Sequence, residues 1–328
     1  LAATVATLAM NAAQAAPTLY GKLNVTLDNI DNNGFEDESV TKVNSNASRI
    51  GVKGEEKLTD NLSAVYLIEW QISADGDGDV FSNRNRYVGI KSDSIGTLKV
   101  GQYDSYFKTA AGNNQDIFND HNELDMTAVL AGEDRLKNVI GFETDKKLLG
   151  GLAFNIMFQQ GEESEGANSK AKGYEGSRDG FGDGVSASLT YENKDMGLAA
   201  AVAANRAIAS KFNAYDLSGI YTDAVRVTGS LDLGAMGASG LVLGALWQTA
   251  QPTDDTVTVT KGTPAVVTSY KGLQEDAFGV TAAYKIGATP VKLKAQYISA
   301  TTEVDGMKDR QQDLYGVGAD YQINKQAR

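Results

Sequence analysis

Stretches of about ten residues in which apolar and polar side chains alternate recur along nearly the whole chain, and this period of two constrains the fold more than any other feature. In the first of them Leu19, Gly21, Leu23, Val25 and Leu27 share one face, while Tyr20, Lys22, Asn24, Thr26 and Asp28 share the other. The same alternation returns in LSAVYLIEWQIS, GTLKVGQY, NVIGFET, GVSASLTYEN, AVRVTGSLDLG, GLVLGALWQ, DAFGVTAAYKI, TPVKLKAQYIS and LYGVGADYQIN. No segment has a comparable helical period, so the chain reads as all-β. Its 35 glycines beside only 4 prolines fit this: strands accept glycine at bends and exclude proline from interior ladders.

The connections alternate in length. Short turns are expected at 57–61, 93–95, 146–150, 194–196, 236–239 and 287–288. Long polar loops are expected at 29–45, 74–83, 104–135, 161–184, 205–223, 251–275 and 301–313. In an antiparallel up-and-down order, every long loop falls at one end of the sheet and every short turn at the other. A sheet with one apolar face and no helix to cover it must bury that face in a second sheet or in lipid. Lipid demands a closed barrel, because an open edge would leave unpaired backbone groups in hydrocarbon. Strand length and loop asymmetry together specify a transmembrane antiparallel β-barrel.

Composition removes other classes. With 30 basic and 42 acidic residues the net charge is −12, and nucleic acid, which needs a basic footprint, is not an expected partner. The absence of cysteine excludes disulfides, thiolate metal sites and a cysteine nucleophile. The single histidine, His121, lies between Asp120 and Asn122, and no G-x-S-x-G elbow is present, so no enzyme is expected and no cofactor. The string Asp75-Gly76-Asp77-Gly78-Asp79 has oxygen ligands for calcium but lacks the glutamate that completes such a loop; no metal site is assigned. Residues 1–15 form a short apolar run ending in Ala13-Gln14-Ala15, the pattern of a cleaved signal peptide. This leaves 16–328 as the barrel domain of an exported protein.

The runs APTLYGKLNVTLD, SRIGVKGEEKL, NRNRYVGIKSDSIGTLKVGQ and LYGVGADYQINK occur in that order, and with them the chain resembles the general diffusion porins of Gram-negative outer membranes. The resemblance covers nearly everything from Ala16 onward. It implies a sixteen-stranded barrel in the intact protein, usually a homotrimer, passing small hydrophilic solutes and ions passively, with a third loop folded inward. Its partners are expected to be outer-membrane lipid and lipopolysaccharide. About fourteen complete strands are counted here, so the sequence is read as lacking the last two. A substrate-selective channel and a structural or adhesive surface barrel are the alternatives.

Loop 104–135 is the candidate site, since a connection of this length usually has a task. Its carboxylates, Asp104, Asp116, Asp120, Glu123, Asp125, Glu133 and Asp134, are expected to form the acidic side of a pore constriction. The basic wall is expected from Lys22, Arg49, Lys53, Arg84, Arg86 and Lys99. Arg84 and Arg86 share a face by simple alternation, but Val88 and Ile90 join it, which leaves their direction open.

Overall fold

The computed structural model describes residues 17–31, 39–78, 81–162, 172–174, 177–254, 257–261 and 266–327; the expected leader at 1–15 lies outside them. The chain forms two compact units, residues 1–103 and 104–328.

The first unit contains β1 (Thr18–Lys22), β2 (Val25–Asp31), β3 (Ser39–Ser45), β4 (Arg49–Lys57), β5 (Leu62–Gln71), β6 (Ser82–Ser92) and β7 (Gly96–Asp104). Strands β1, β4, β5, β6 and β7 pair antiparallel in that order, and β2 pairs with β3 as a separate hairpin. One continuous first strand through Asp28 is therefore not what forms. The run breaks at Leu23–Asn24, where the Asn24 N–H donates to Ser48 Oγ at 2.9 Å and its amide donates to the Asn46 carbonyl at 3.0 Å. Part of the loop expected at 29–45 is likewise strand. Asp75 contributes its carboxylate to this region, accepting the Ser45 N–H at 2.7 Å. That bond holds its carboxyl below the ordinary value. Asp79 lies outside the described residues.

In the second unit two short helices, α1 (Tyr106–Thr109) and α2 (Gly112–Gln115), and a 3₁₀ turn (Met126–Ala128) precede the strands. The strands are β8 (Arg135–Glu143), β9 (Leu152–Gln159), β10 (Gly184–Asn193), β11 (Leu198–Phe212), β12 (Leu217–Asp232), β13 (Leu241–Pro252), β14 (Thr258–Lys261), β15 (Val266–Ser269), β16 (Gln274–Lys285), β17 (Val291–Glu303) and β18 (Arg310–Tyr321). All pair antiparallel in chain order except β14 and β15, which form their own hairpin within the connection expected at 251–275. The connection expected at 205–223 is mostly strand. β11 and β12 run on past a bulge near Ala207 because Ile208, Phe212, Leu217 and Ile220 are buried there, and extended pairing keeps them so. The six short turns fall between paired strands as expected.

Each sheet has one apolar and one hydrophilic side. In the second unit Val225, Val227, Trp247, Phe278, Val280 and Leu293 are exposed, and Val317 reaches 83% exposure. The residues between them, Arg226, Thr228, Ser230, Gln248, Thr281 and Gln296, are buried. The ladder puts like with like: Arg226 opposite Gln248, Gly244 opposite Thr281, and Thr281 opposite Gln296. An apolar face this broad requires a nonaqueous neighbour. Among the described residues no helix is long and apolar enough to cross a membrane.

Candidate functional site

Loop 104–135 begins where β7 ends and finishes where β8 starts. Its base is clamped shut. The Ser105 N–H donates to the Asp134 carbonyl at 3.0 Å, Arg135 pairs with Asp104 at 3.1 Å, and Lys108 approaches Asp104 at 3.8 Å. Ser105 caps α1 by accepting the Lys108 N–H at 3.0 Å, the expected role of serine before a helical turn. Closing the base satisfies backbone groups that would otherwise be stranded and lets 30 or so residues fold as one body over the strands.

The loop lies along the hydrophilic side of the second unit's sheet and is bonded to it strand by strand. The Phe107 N–H donates to Ser186 Oγ on β10 at 3.1 Å, and the Gly132 N–H donates to Ser210 Oγ on β11 at 2.7 Å. On β12, Thr228 donates to the Ala110 carbonyl at 2.9 Å, and Ser230 accepts the Asn114 amide at 2.9 Å. On β16, Glu275 accepts the Ala131 N–H at 2.8 Å, and Thr281 donates to the Asn114 carbonyl. On β17, Lys294 and Gln296 donate to the Ile117 and Leu124 carbonyls at 3.2 and 2.6 Å. Short hydroxyl and amide side chains, spaced two apart on successive strands, thus act as a rack for a backbone that has no ladder of its own.

Arg226 is the centre of this rack. It is fully buried, its guanidinium lies 2.6 Å from the Glu133 carboxylate and 3.0 Å from Gln248 Oε1, and it stacks 4.3 Å over the Phe107 ring. Gln248 in turn donates to the Ala131 carbonyl at 3.1 Å and to Glu275 at 3.2 Å. Burying a charge away from water is unfavourable unless it is paired and its remaining hydrogens are bonded; here one arginine meets both conditions using loop and wall atoms together.

The seven loop acids therefore fall into different environments. Asp104 and Glu133 are ion-paired; burial pushes the Glu133 carboxyl up, against the pull of Arg226. Asp125 caps the 3₁₀ turn, accepting the Thr127 and Asp120 N–H groups at 2.9 Å each. Burial pushes Asp134 up to about 7, and burial followed by the charge of Asp125 pushes Asp116 up to about 7. One Asp116 oxygen accepts from Asn119 at 2.6 Å, and the other is buried with no hydrogen-bond partner among the described residues. Glu123 is exposed and Asp120 is half-exposed. The ring of His121 meets Phe118 edge-on at 6.2 Å.

These two raised carboxyls give the seated loop a pH dependence with a definite sign. In a released loop both groups return to the ordinary value of 3.8. Both forms are protonated below that value, so seating is unhindered there. Its advantage declines as pH rises and is fully lost above about 7, where ionised groups would be buried, at ~1.4 kcal/mol per unit for each. Hydrogen exchange of loop amides is expected to accelerate between pH 5 and 8 beyond the intrinsic chemical rate, and Asp134→Asn should flatten the profile. A loop equally protected at both ends of that range would contradict the assignment.

Register in the first unit places Lys22 opposite Arg49 and Lys53 opposite Thr18, on the side that also carries Glu69 and Lys99. Lys53 lies 5.2 Å over the Tyr20 ring, Lys99 lies 4.9 and 4.6 Å over Tyr87 and Tyr103, and Arg84 pairs with Glu69 at 2.6 Å. A register shift between Ile68 and Trp70 separates the two arginines of β6. Arg84 joins the other four bases, whereas Arg86 is paired with Ile68, in phase with Val88 and Ile90. The bulge resolves the conflict that simple alternation left open.

Sequence reasoning did not single out Arg226, Gln248, Glu275, Lys294 or Phe118. One signal was available: in AVRVTGSLDLG a lone arginine stands between two valines and in phase with Thr228 and Ser230, the pattern of a charge facing away from lipid.

The sequence profile described as Gram-negative porin matches residues 1–328. The chain belongs to the Gram-negative porin family. The major outer membrane protein P.IB of Neisseria sicca is 25% identical over 347 residues, covering 99% of this chain and 89% of that one. Two solved porins share the fold. The anion-selective porin from Comamonas acidovorans has a TM-score of 0.64 at 17% identity, covering 94% of this chain and 85% of its own. Salmonella typhi OmpF, solved with daunomycin, has a TM-score of 0.64 at 18% identity, covering 94% and 86%. The porin fold is an antiparallel up-and-down barrel whose apolar side meets lipid, which accounts for the exposed face described above. This porin resides in the outer membrane and is a water-filled channel for passive diffusion of small hydrophilic solutes, without enzymatic chemistry.

Proposed function

We propose that loop 104–135 forms the selectivity constriction and that its acids divide into two jobs. Glu133, Asp134, Asp104 and Asp125 hold the loop in place, and Asp116 lies between the two groups. Asp120 and Glu123, at the loop tip, present the charge that passing ions meet. The observation that carries this reading is the difference in exposure: Glu123 is open to water while the side chain of Glu133 is only 5% exposed against Arg226. Lys22, Arg49, Lys53, Arg84 and Lys99 belong to the hydrophilic lining of their own unit, whereas Arg86, in phase with Val88 and Ile90, lies outside it. The protein works as a homotrimer in contact with lipid and lipopolysaccharide, as its family resemblance and broad apolar side suggest, and residues 1–15 act as its export signal.

The test is the reversal potential in a salt gradient across a planar bilayer. Removing two charges about 10 Å from an ion in water changes its energy by ~0.8 kcal/mol, roughly a factor of four. Asp120→Asn with Glu123→Gln is thus expected to lower the cation-to-anion permeability ratio several-fold at low salt and less at high salt. An unchanged ratio at low salt would remove the tip acids from the constriction.

A further inference from the structure

The tip of the loop is fixed by a device that differs from the hydrogen-bond rack behind it. Phe118 is 4% exposed although, Ile117 apart, the rest of its segment, NNQDIFNDHNE, is polar. Its ring stands against Gly316 and Gly318 of β18: a Cβ added at Gly316 would lie 3.0 Å from the ring, and one at Gly318 would lie 3.2 Å from it. Across the ladder these two glycines pair with Gln296 and Lys294 of β17. Two long polar side chains therefore face two positions that have none, and the pairing leaves a slot one ring deep on the hydrophilic side of the sheet.

The side walls of the slot bind the ring's neighbours. Lys294 lies 4.6 Å over the Phe118 face, donates to the Ile117 carbonyl at 3.2 Å and pairs with Asp320 at 3.0 Å. Gln296 donates to the Leu124 carbonyl at 2.6 Å. The segment between these bonds, 118–123, carries Asp120, His121 and Glu123. An ammonium held over an aromatic face and bonded to the adjacent carbonyl fixes both the depth and the rotation of the ring.

We propose that Phe118 is a positioning residue for permeation: its insertion between Gly316 and Gly318 sets how far the loop tip projects, and so fixes the pore's width independently of its charge. This rests on the constriction reading of the loop, but not on the tip acids carrying selectivity. A phenyl ring buried in a slot contributes through apolar area and close packing, and truncation to alanine leaves the tip with its two side-chain bonds and no wedge. The tip then samples positions nearer the wall, and the opening widens.

The experiment uses the intact porin reconstituted in bilayers and in liposomes, comparing wild type, Phe118→Ala, Phe118→Leu and Gly316→Val. Single-channel conductance and the size limit for neutral sugars in liposome swelling are read together with the reversal potential. Phe118→Ala is expected to raise conductance by roughly half or more, since pore width limits passage. It should also admit sugars that wild type excludes and add open-channel noise. Phe118→Leu should restore most of the wild-type limit. Gly316→Val, which fills the slot from the wall side, should push the ring and the tip away from the sheet and so lower conductance and tighten the sugar limit in a chain whose phenylalanine is intact.

Folding is checked by protease resistance of the strands, and if Phe118→Ala is not recovered folded, Gly316→Val decides alone. Conductance and sugar limit equal to wild type in a folded variant would overturn the proposal. Failure of the constriction reading is distinguishable: there, neither the tip-acid variants nor the slot variants change any permeation property. A changed sugar limit with an unchanged permeability ratio supports the slot and rejects only the charge assignment.

Discussion

Arg226→Met releases the loop while leaving the sheet intact. The guanidinium holds Glu133 at 2.6 Å and covers the Phe107 ring at 4.3 Å. Methionine keeps much of the volume and the contact with the ring, but it leaves the Glu133 carboxylate, the Gln248 amide oxygen of the wall and the Phe107 carbonyl of the loop without their donor. Breaking a buried pair on one side costs about 3–5 kcal/mol, more than any single hydrogen bond of the rack contributes at ~1 kcal/mol. The expected results are rapid proteolysis within 104–135, large current fluctuations and a higher mean conductance, with the strands still protected. Glu133→Gln added to Arg226→Met should recover part of the loss, because the uncompensated charge is gone; the cycle of the four proteins measures the coupling. Arg226→Lys should not rescue, since one ammonium cannot reach Glu133, Gln248 and the Phe107 carbonyl at once. A wild-type protease pattern in Arg226→Met would show that the backbone bonds suffice.

Gly244→Val is expected to be nearly as severe for a different reason. The Asn114 carbonyl of α2 approaches β13 so closely that a Cβ at position 244 would fall inside contact distance of that oxygen and of the Thr281 hydroxyl. A branched side chain there forces α2 off the wall and breaks the Asn114 bonds to Ser230 and Thr281 together. Overpacking of this kind costs about 1–3 kcal/mol, and the lost bonds add to it. Ala245→Val, one residue on and exposed on the apolar side, is the control: the same bulk added there should leave conductance unchanged. Equal behaviour of the two variants would mean that α2 does not rest on Gly244.

What was legible in the sequence follows from the length scale of each interaction. Alternation between adjacent side chains is a local property, so the strands, their two faces and the short turns could be read directly, and charge at 104–135 marked the loop before its geometry was known. Boundaries failed where burial came from distant partners. Phe212 and Leu217 sit in what reads as polar loop, yet both are buried with Val257, Leu273 and Val304 from later connections, and extended pairing continues to keep them there. Arg86 could not be oriented because a bulge of one residue reverses a period-two pattern without leaving a mark in composition.

The seven loop acids looked equivalent by type and spacing, and they are not. Side chains counted two at a time already require one side of the strands to face lipid and the other water. The packing of distant strands decided which carboxylate meets Arg226, which are pushed up by burial and which reach water. Those outcomes depend on desolvation and on donors more than 90 residues away along the chain, as Arg226 is from Glu133, and a carboxylate's own neighbours in sequence do not encode them.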